Sequence, residues 1–186
     1  EADNKQSEGR TTAYLAQDEA LIAALEDPIR DFYKTLGTLF FSIPYEEVTT
    51  EFRNDVLKRI VHGTNYMMGA WTFIENIGIS VLHVAAHKLG IKLMEVPTRG
   101  YDNEMTVRAF AQMLLDSYHK PFPRVREWYK EIFNEIASTG FSISPLGHVR
   151  KFFGDISKDH KMLRSAVAHK SQHLSVAILN RGFRRV

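Results

Sequence analysis

Residues 49–69, TTEFRNDVLKRIVHGTNYMMG, read as one helix with a chemically mixed face. A threonine hydroxyl at Thr49 or Thr50 can accept from the orphan amide N–H groups of a first turn, which opens a helix over the run Phe52 to Tyr66 and predicts a break at Gly69. Asn54, Lys58, His62 and Tyr66 recur every four residues and so share one face, with Arg53 and Arg59 on its flanks. A lysine there can meet phosphate as a point charge, and His62 and Tyr66 offer flat rings to a sugar or base. The same spacing also describes a solvated helix face with two rings tucked into the core, and the stripe alone does not separate the two.

A second polar constellation stands at the start of the chain. DNKQSEGR, Asp3 to Arg10, spaces Gln6, Glu8 and Arg10 three, five and seven residues after an aspartate. An aspartate ending a strand can hold a divalent metal, which neutralises charge on phosphate oxygens during phosphoryl transfer. With a helix starting just after Asp3, Glu8 and Arg10 project from its first turns, within reach of a nucleotide or a template phosphate. The competing reading is an acidic tail leading into a helix.

Composition bounds these readings without deciding between them. The 186 residues suffice for one or two compact units, and 44% hydrophobic content with 25% charge is that of a globular protein. A formal net charge of +2 means that any nucleic-acid contact rests on local basic patches, of which Asn180–Arg185, NRGFRR, is one. Zero cysteines exclude disulfides and thiolate metal sites. Without an apolar run near 18 residues or a signal pattern, a cytoplasmic location is expected, that of the host cell if the protein is phage-encoded. The start at Glu1 leads us to expect a piece of a longer polypeptide.

The remaining pattern is mainly helical. Two short helices are expected over Ala13 to Leu25, another over Ile29 to Phe41 burying Phe32, Leu36, Leu39 and Phe40, and short ones near Trp71–Ile77 and Val81–Leu89. An irregular link over 90–103 leads to two amphipathic helices carrying Val107 to Tyr118 and Val125 to Ile136. A small hairpin around Pro145-Leu146-Gly147 and a long helix over about 158–180 complete the expectation. Met67, Met68 and Trp71 are expected in the core. His83 with His87, and His169 with His173, have i, i+4 spacing but lack an HExxH pattern or third ligand, so they are read as packing or surface residues.

DNKQSEGR resembles motif A of family A DNA polymerases, and KRIVHGTNYMMG, Lys58 to Gly69, resembles their nucleotide-binding finger helix. QDEALIAALEDPIRDFYKTL from Gln17, with Asp31 at a recurrent position, is also similar. FPRVREWYKEIFNEIASTGFSISPLGHVRKFFG from Phe122 resembles the helix and hairpin that follow, and LRSAVAHKSQHLSVAILNRG from Leu163 resembles the template-contacting helix. The flavour resembles phage enzymes. The resemblance implies a mainly α fingers subdomain of a right-hand polymerase with a small β-hairpin and a fragment of palm. It divides the chain into a palm fragment with motif A (1–16), helical fingers (17–140) whose nucleotide-binding helix spans about 50–66, and a hairpin with the palm-proximal template helix (141–186).

The same resemblance implies roles. Asp3 would ligate two Mg²⁺ ions with the main-chain carbonyl of Asn4, and Glu8 would reject a ribose 2′-hydroxyl. Lys58 would grip the triphosphate, His62 would lie beside the sugar, and Tyr66 would police the nascent pair. Gln6, Tyr33, Arg53 and Asn54 join the nucleotide-binding set, and Arg10, Arg164 and Gln172 the DNA-binding set. The implied partners are primer–template DNA, dNTPs and a C-terminal polymerase segment. Departures accompany these matches. The family places arginine four residues before the lysine and an aromatic four after it, where this chain has Asn54 and His62, with Arg53 one step round the helix as a substitute. Met67 stands at a usual glycine, Tyr33 at a usual histidine and Ala168 at a usual asparagine. The second metal aspartate, in a His-Asp-Glu motif beyond the final helix, has no counterpart, so this chain alone is expected to be an inactive fragment or one part of a split enzyme. Two alternatives remain: a single-subunit RNA polymerase fragment, which Glu8 disfavours, and a non-catalytic helical nucleic-acid-binding module.

Overall fold

Apolar residues at helical spacing become helices in a computed structural model that describes residues 6–94 and 104–183. Asp3 and Asn4 lie outside the described residues. The chain forms two compact units, one of residues 1–25 with 122–186, the other of residues 26–121.

In the first unit, α1 (Ser7–Ala16) ends at Gln17 in a left-handed conformation, and α2 (Glu19–Glu26) follows. The buried Asp18 makes the corner: its Oδ1 accepts from the Leu21 amide at 3.0 Å and its Oδ2 from the Arg124 amide at 3.1 Å. One carboxylate thus satisfies orphan amides at the starts of α2 and of α9 (Pro123–Thr139), where Pro123 supplies a pre-set first-turn φ. Val125, Trp128, Tyr129, Ile132 and Ile136 are buried along α9, as their spacing predicts. The hairpin forms from β3 (Phe141–Ile143) and β4 (Val149–Lys151), antiparallel, with Phe141 opposite Lys151. Glu135 accepts from the Ile143 amide at 3.0 Å and pairs with Lys170, whose ammonium also donates to the Ile143 carbonyl. Lys170 belongs to α10 (His160–Phe183), so this ion pair ties hairpin, α9 and α10 together. The seam between α1 and α10 uses small residues: Thr11 donates to the Ser171 carbonyl, Ser7 and Ser175 share a hydroxyl hydrogen bond, and Ala16 and Ala166 are fully buried.

In the second unit, α3 (Phe32–Phe41) begins three residues later than Ile29, because Asp31 caps it and Ile29 is exposed. Its buried face is Phe32, Leu36, Gly37 and Phe41; Leu39 is exposed, which corrects its expected burial. After a 3₁₀ turn at Tyr45–Glu47, the Thr49 hydroxyl accepts from the Phe52 amide at 3.2 Å and opens α4 (Thr50–Phe52). A π turn at Arg53–Leu57 leads directly into α5 (Lys58–Asn65). Met68 donates to the Gly63 carbonyl and Met67 to that of Thr64, closing α5 with Met67 at φ 52°. Then come α6 (Ala70–Ile77) and α7 (Ile79–Lys88), and α8 (Val107–Ser117), capped by Thr106. Trp71 is exposed, with the Arg108 guanidinium 5.6 Å from its ring centroid, and is not a core residue. The link expected to be irregular over 90–103 contains a short strand, β1 (Lys92–Met94), which pairs in parallel with β2 (Glu104–Thr106) just beyond it. Gly63 lets α5 sit close to its neighbours, since a Cβ there would stand 3.2 Å from Leu115 and 3.3 Å from Phe73. The buried Asn65 accepts from the Tyr118 hydroxyl at 3.2 Å and fixes the end of the same helix. No helix among the described residues is long and apolar enough to cross a membrane.

Candidate functional site

The α4–π–α5 helix turns its polar stripe outward. Asn54, Lys58 and His62 are exposed and Tyr66 is half-buried, while Phe52, Val56, Leu57, Ile60 and Val61 face the core. The reading that tucks both rings into the core therefore does not describe His62. The His62 and Tyr66 rings meet edge to face, centroids 5.0 Å apart, which gives the C-terminal end of the stripe an aromatic wall.

Arg53 is the most constrained cation of this face. Its Nε donates to Asp31 Oδ1 at 3.0 Å and its Nη2 to Oδ2 at 2.8 Å, a fork-to-fork pair. Its Nη1 donates to Asn54 Oδ1 at 2.8 Å, and its guanidinium carbon stands 4.8 Å from the Tyr33 ring centroid. Asp31 also caps α3 by accepting from the Lys34 amide, and its own amide donates to the Tyr45 hydroxyl at 2.7 Å. Burial pushes the Asp31 carboxyl up, but the hydrogen bonds from Arg53 and the Lys34 amide outweigh it and hold the carboxyl below its usual range. The Arg53 guanidinium is correspondingly pushed up, first by its hydrogen bonds to Asp31. The structure therefore joins Tyr33, Asp31, Arg53 and Asn54 in one connected group at the head of the stripe that continues through Lys58, His62 and Tyr66.

The first unit's candidates are placed separately. Gln6 precedes α1 in a left-handed conformation, φ 57°, with its carbonyl accepting from the Arg10 amide. Glu8 is half-buried in the first turn. The Arg10 guanidinium donates to the Leu25 carbonyl at 2.8 Å, so in this conformation it satisfies the end of α2. On α10, Arg164 is half-buried and Gln172 exposed. Eight residues set them about 80° apart around the helix. Asp3 and Asn4, the expected metal holders, are outside the described residues, and among the described residues no three His, Asp or Glu side chains gather as a metal would need.

Comparisons with known proteins identify the family. The sequence profile of DNA polymerase family A matches residues 1–174. The chain belongs to that family. DNA polymerase I of Mycobacterium tuberculosis is 26% identical over 165 residues, 89% of this chain and 15% of that protein. The thermostable DNA polymerase I of Thermus aquaticus is 25% identical over 174 residues, and Drosophila melanogaster DNA polymerase theta 22% over 175. This family A chain thus spans 15% of the mycobacterial protein and 17% of the Thermus one. Among solved structures, the POL domain of Pol1 from M. smegmatis, in complex with DNA primer–template and dNTP, superposes with a TM-score of 0.63 at 21% identity, covering 91% of this chain and 26% of that one. The fold is accordingly a mainly α fingers fragment of a polymerase domain.

Two participants were harder to find from sequence. Asp31 stood at a position of recognised recurrence but without a role; its place before Phe32, with a helical pattern following, is a cap signal. Tyr45 had no signal, because its contact with the Asp31 amide depends on the turn that brings residues fourteen apart together.

Proposed function

We propose that this chain is part of a template-directed DNA polymerase and supplies the helix that holds the incoming dNTP against primer–template DNA. The observation that carries the reading is the outward stripe Asn54–Lys58–His62–Tyr66, headed by an Arg53 already fixed by Asp31 and Tyr33, in a member of the family. Lys58 meets the triphosphate as a point charge, and Arg53, with its Nε–Nη2 edge held by Asp31, keeps one N–H on each Nη for phosphate oxygens. His62 lies beside the sugar, Tyr66 checks the nascent pair, and Gln6 with Glu8 lines the sugar side, Glu8 excluding a 2′-hydroxyl. Arg10, Arg164 and Gln172 contact DNA. Asp3 with the Asn4 carbonyl holds Mg²⁺, which when bound neutralises charge developing on the phosphate. The second carboxylate comes from a C-terminal polymerase segment, and the working place is the cytoplasm. In this scheme residues 1–16 act as palm, 17–140 as fingers and 141–186 as the hairpin and template helix.

The test supplies Mg²⁺, dNTPs and primed template to the chain alone and with a polypeptide carrying the second carboxylate. Extension only in the mixture, lost in Asp3→Ala and sharply weakened in Lys58→Ala, is the expected result. Equal use of rNTPs would overturn the role of Glu8. DNA binding indifferent to Asp3→Ala and to added dNTP would favour a non-catalytic nucleic-acid-binding module instead.

A further inference from the structure

The buried apolar side chains of the stripe helix are Phe52, Val56, Leu57, Ile60 and Val61, the last four at offsets of four, five, eight and nine from Phe52. A regular amphipathic helix buries offsets of three, four, seven and eight. The whole set is late by one residue, and the delay falls between Phe52 and Val56, where the chain has the polar Arg53, Asn54 and Asp55. This is where the backbone widens: the Lys58 amide donates to the Arg53 carbonyl, five residues back, and the helix is of π form over Arg53–Leu57. In an unbroken α-helix five residues would rotate Arg53 about 140° from Lys58, off the stripe. Across one π turn, residues five apart bear the relation that residues four apart have in an α-helix.

We infer that the π turn absorbs a single extra residue and thereby puts Arg53 in phase with Lys58, making these two the paired cations of the triphosphate site, with Asp31 as the positioning residue that orients Arg53. The inference rests on the nucleotide-binding role proposed above for this helix. Asp31 meets Arg53 through both carboxylate oxygens while Tyr33 covers the guanidinium, so the remaining N–H of each Nη is oriented before any phosphate arrives.

Deleting Asp55 converts the burial offsets to the regular set and leaves Arg53 four residues before Lys58. The unfolding midpoint of this deletion variant is expected within about 5 °C of the parent. Deleting Arg59 instead leaves Leu57 and Ile60 only two apart, on opposite sides of the helix, and is expected to lower the midpoint by more than about 10 °C. In the folded proteins, binding of the fluorescent triphosphate mant-dATP with Mg²⁺ is followed by anisotropy. The Asp55 deletion is expected to bind within about threefold of the parent and Arg53→Gln about tenfold or more weakly, with Arg53→Lys between them. Asp31→Asn is expected to weaken binding about threefold or more, with folding intact at neutral pH. An Asp55 deletion that unfolds like the Arg59 deletion, or that folds but binds as weakly as Arg53→Gln, overturns the inference. If the parent itself fails to bind mant-dATP, the nucleotide-binding reading falls, while the two deletions still decide whether the turn holds an extra residue.

Discussion

Replacing Asp31 separates the two tasks that one carboxylate performs. As the cap of α3 it accepts from the Lys34 amide at 3.1 Å, and as the partner of Arg53 it accepts two charge-assisted hydrogen bonds. Loss of a cap costs about 1 kcal/mol. The ion pair has side-chain exposures of 24% for Asp31 and 23% for Arg53, between the surface and buried limits. Its loss is therefore set at about 1–2 kcal/mol. Asp31→Ala removes both and should cost about 2–3 kcal/mol, a fall in unfolding midpoint of about 5–10 °C for a chain of this size. Asp31→Asn keeps a capping oxygen and one neutral acceptor for Arg53, so its fall should be about 2–4 °C. Circular-dichroism melts at pH 7 and at pH 3 read both effects. Because the folded carboxyl titrates below its reference of 3.8, its contribution is present above that value and is lost as the pH drops through the lower folded value. The parent should thus lose part of its advantage over Asp31→Asn at pH 3. Equal midpoints for the two variants at pH 7, or an acid sensitivity unchanged in Asp31→Asn, would refute the division of labour.

Three further outcomes are expected. The His169 imidazole is held below its ordinary range first by burial and then by the cationic or protonatable neighbours Arg150, His173, Lys170 and His148, with Ser142 Oγ 3.4 Å from its Nδ1. Its contribution is present above the reference of 6.5 and lost as the pH falls towards the folded value, so the midpoint should decline below about pH 6.5, and less steeply in His169→Gln. Met67→Gly should stabilise the chain by up to about 1 kcal/mol in urea titration, because Met67 occupies the left-handed position after α5 that favours glycine. Gly37→Ala should destabilise by about 1–3 kcal/mol in the same titration, since its Cβ would stand 2.8 Å from Val48 Cγ2, and Val48→Ala should restore part of the loss.

Helices marked by a capping threonine or by a long apolar period were the legible part of this fold. Thr49 marks the stripe helix, and the run Val125 to Ile136 marks α9, because a 3.6-residue period persists over enough turns to stand above chance. The parallel pair β1–β2 was not legible: strands of three residues hold too little alternation to read, and parallel pairing depends on partners distant in sequence. Leu39 and Trp71 show the other failure. Each is large and apolar within a helical segment, but hydrophobicity alone does not say which face a short helix will bury, and Trp71 lies outward under Arg108.

The candidate site divides along the same physical line. Lys58, His62 and Tyr66 could be recognised because a side chain's place on a regular helix follows from its number, and their exposure matches that count. Asn54 was counted onto the same stripe, but Arg53, five residues before Lys58, could not be assigned by counting, because counting assumes one helix type and the backbone changes type between it and Lys58. A strict four-residue repeat drifts about 40° per step on an α-helix, so a stripe of four such residues should wander about 120°. Asn54, Lys58 and His62 span only about 80° of that drift and all stay exposed, and the π turn at Arg53–Leu57 alters only the first of the three steps. The readable sign of the widened turn is therefore not the polar repeat but the apolar one: Val56, Leu57, Ile60 and Val61 each fall one residue late after Phe52 for a regular helix face.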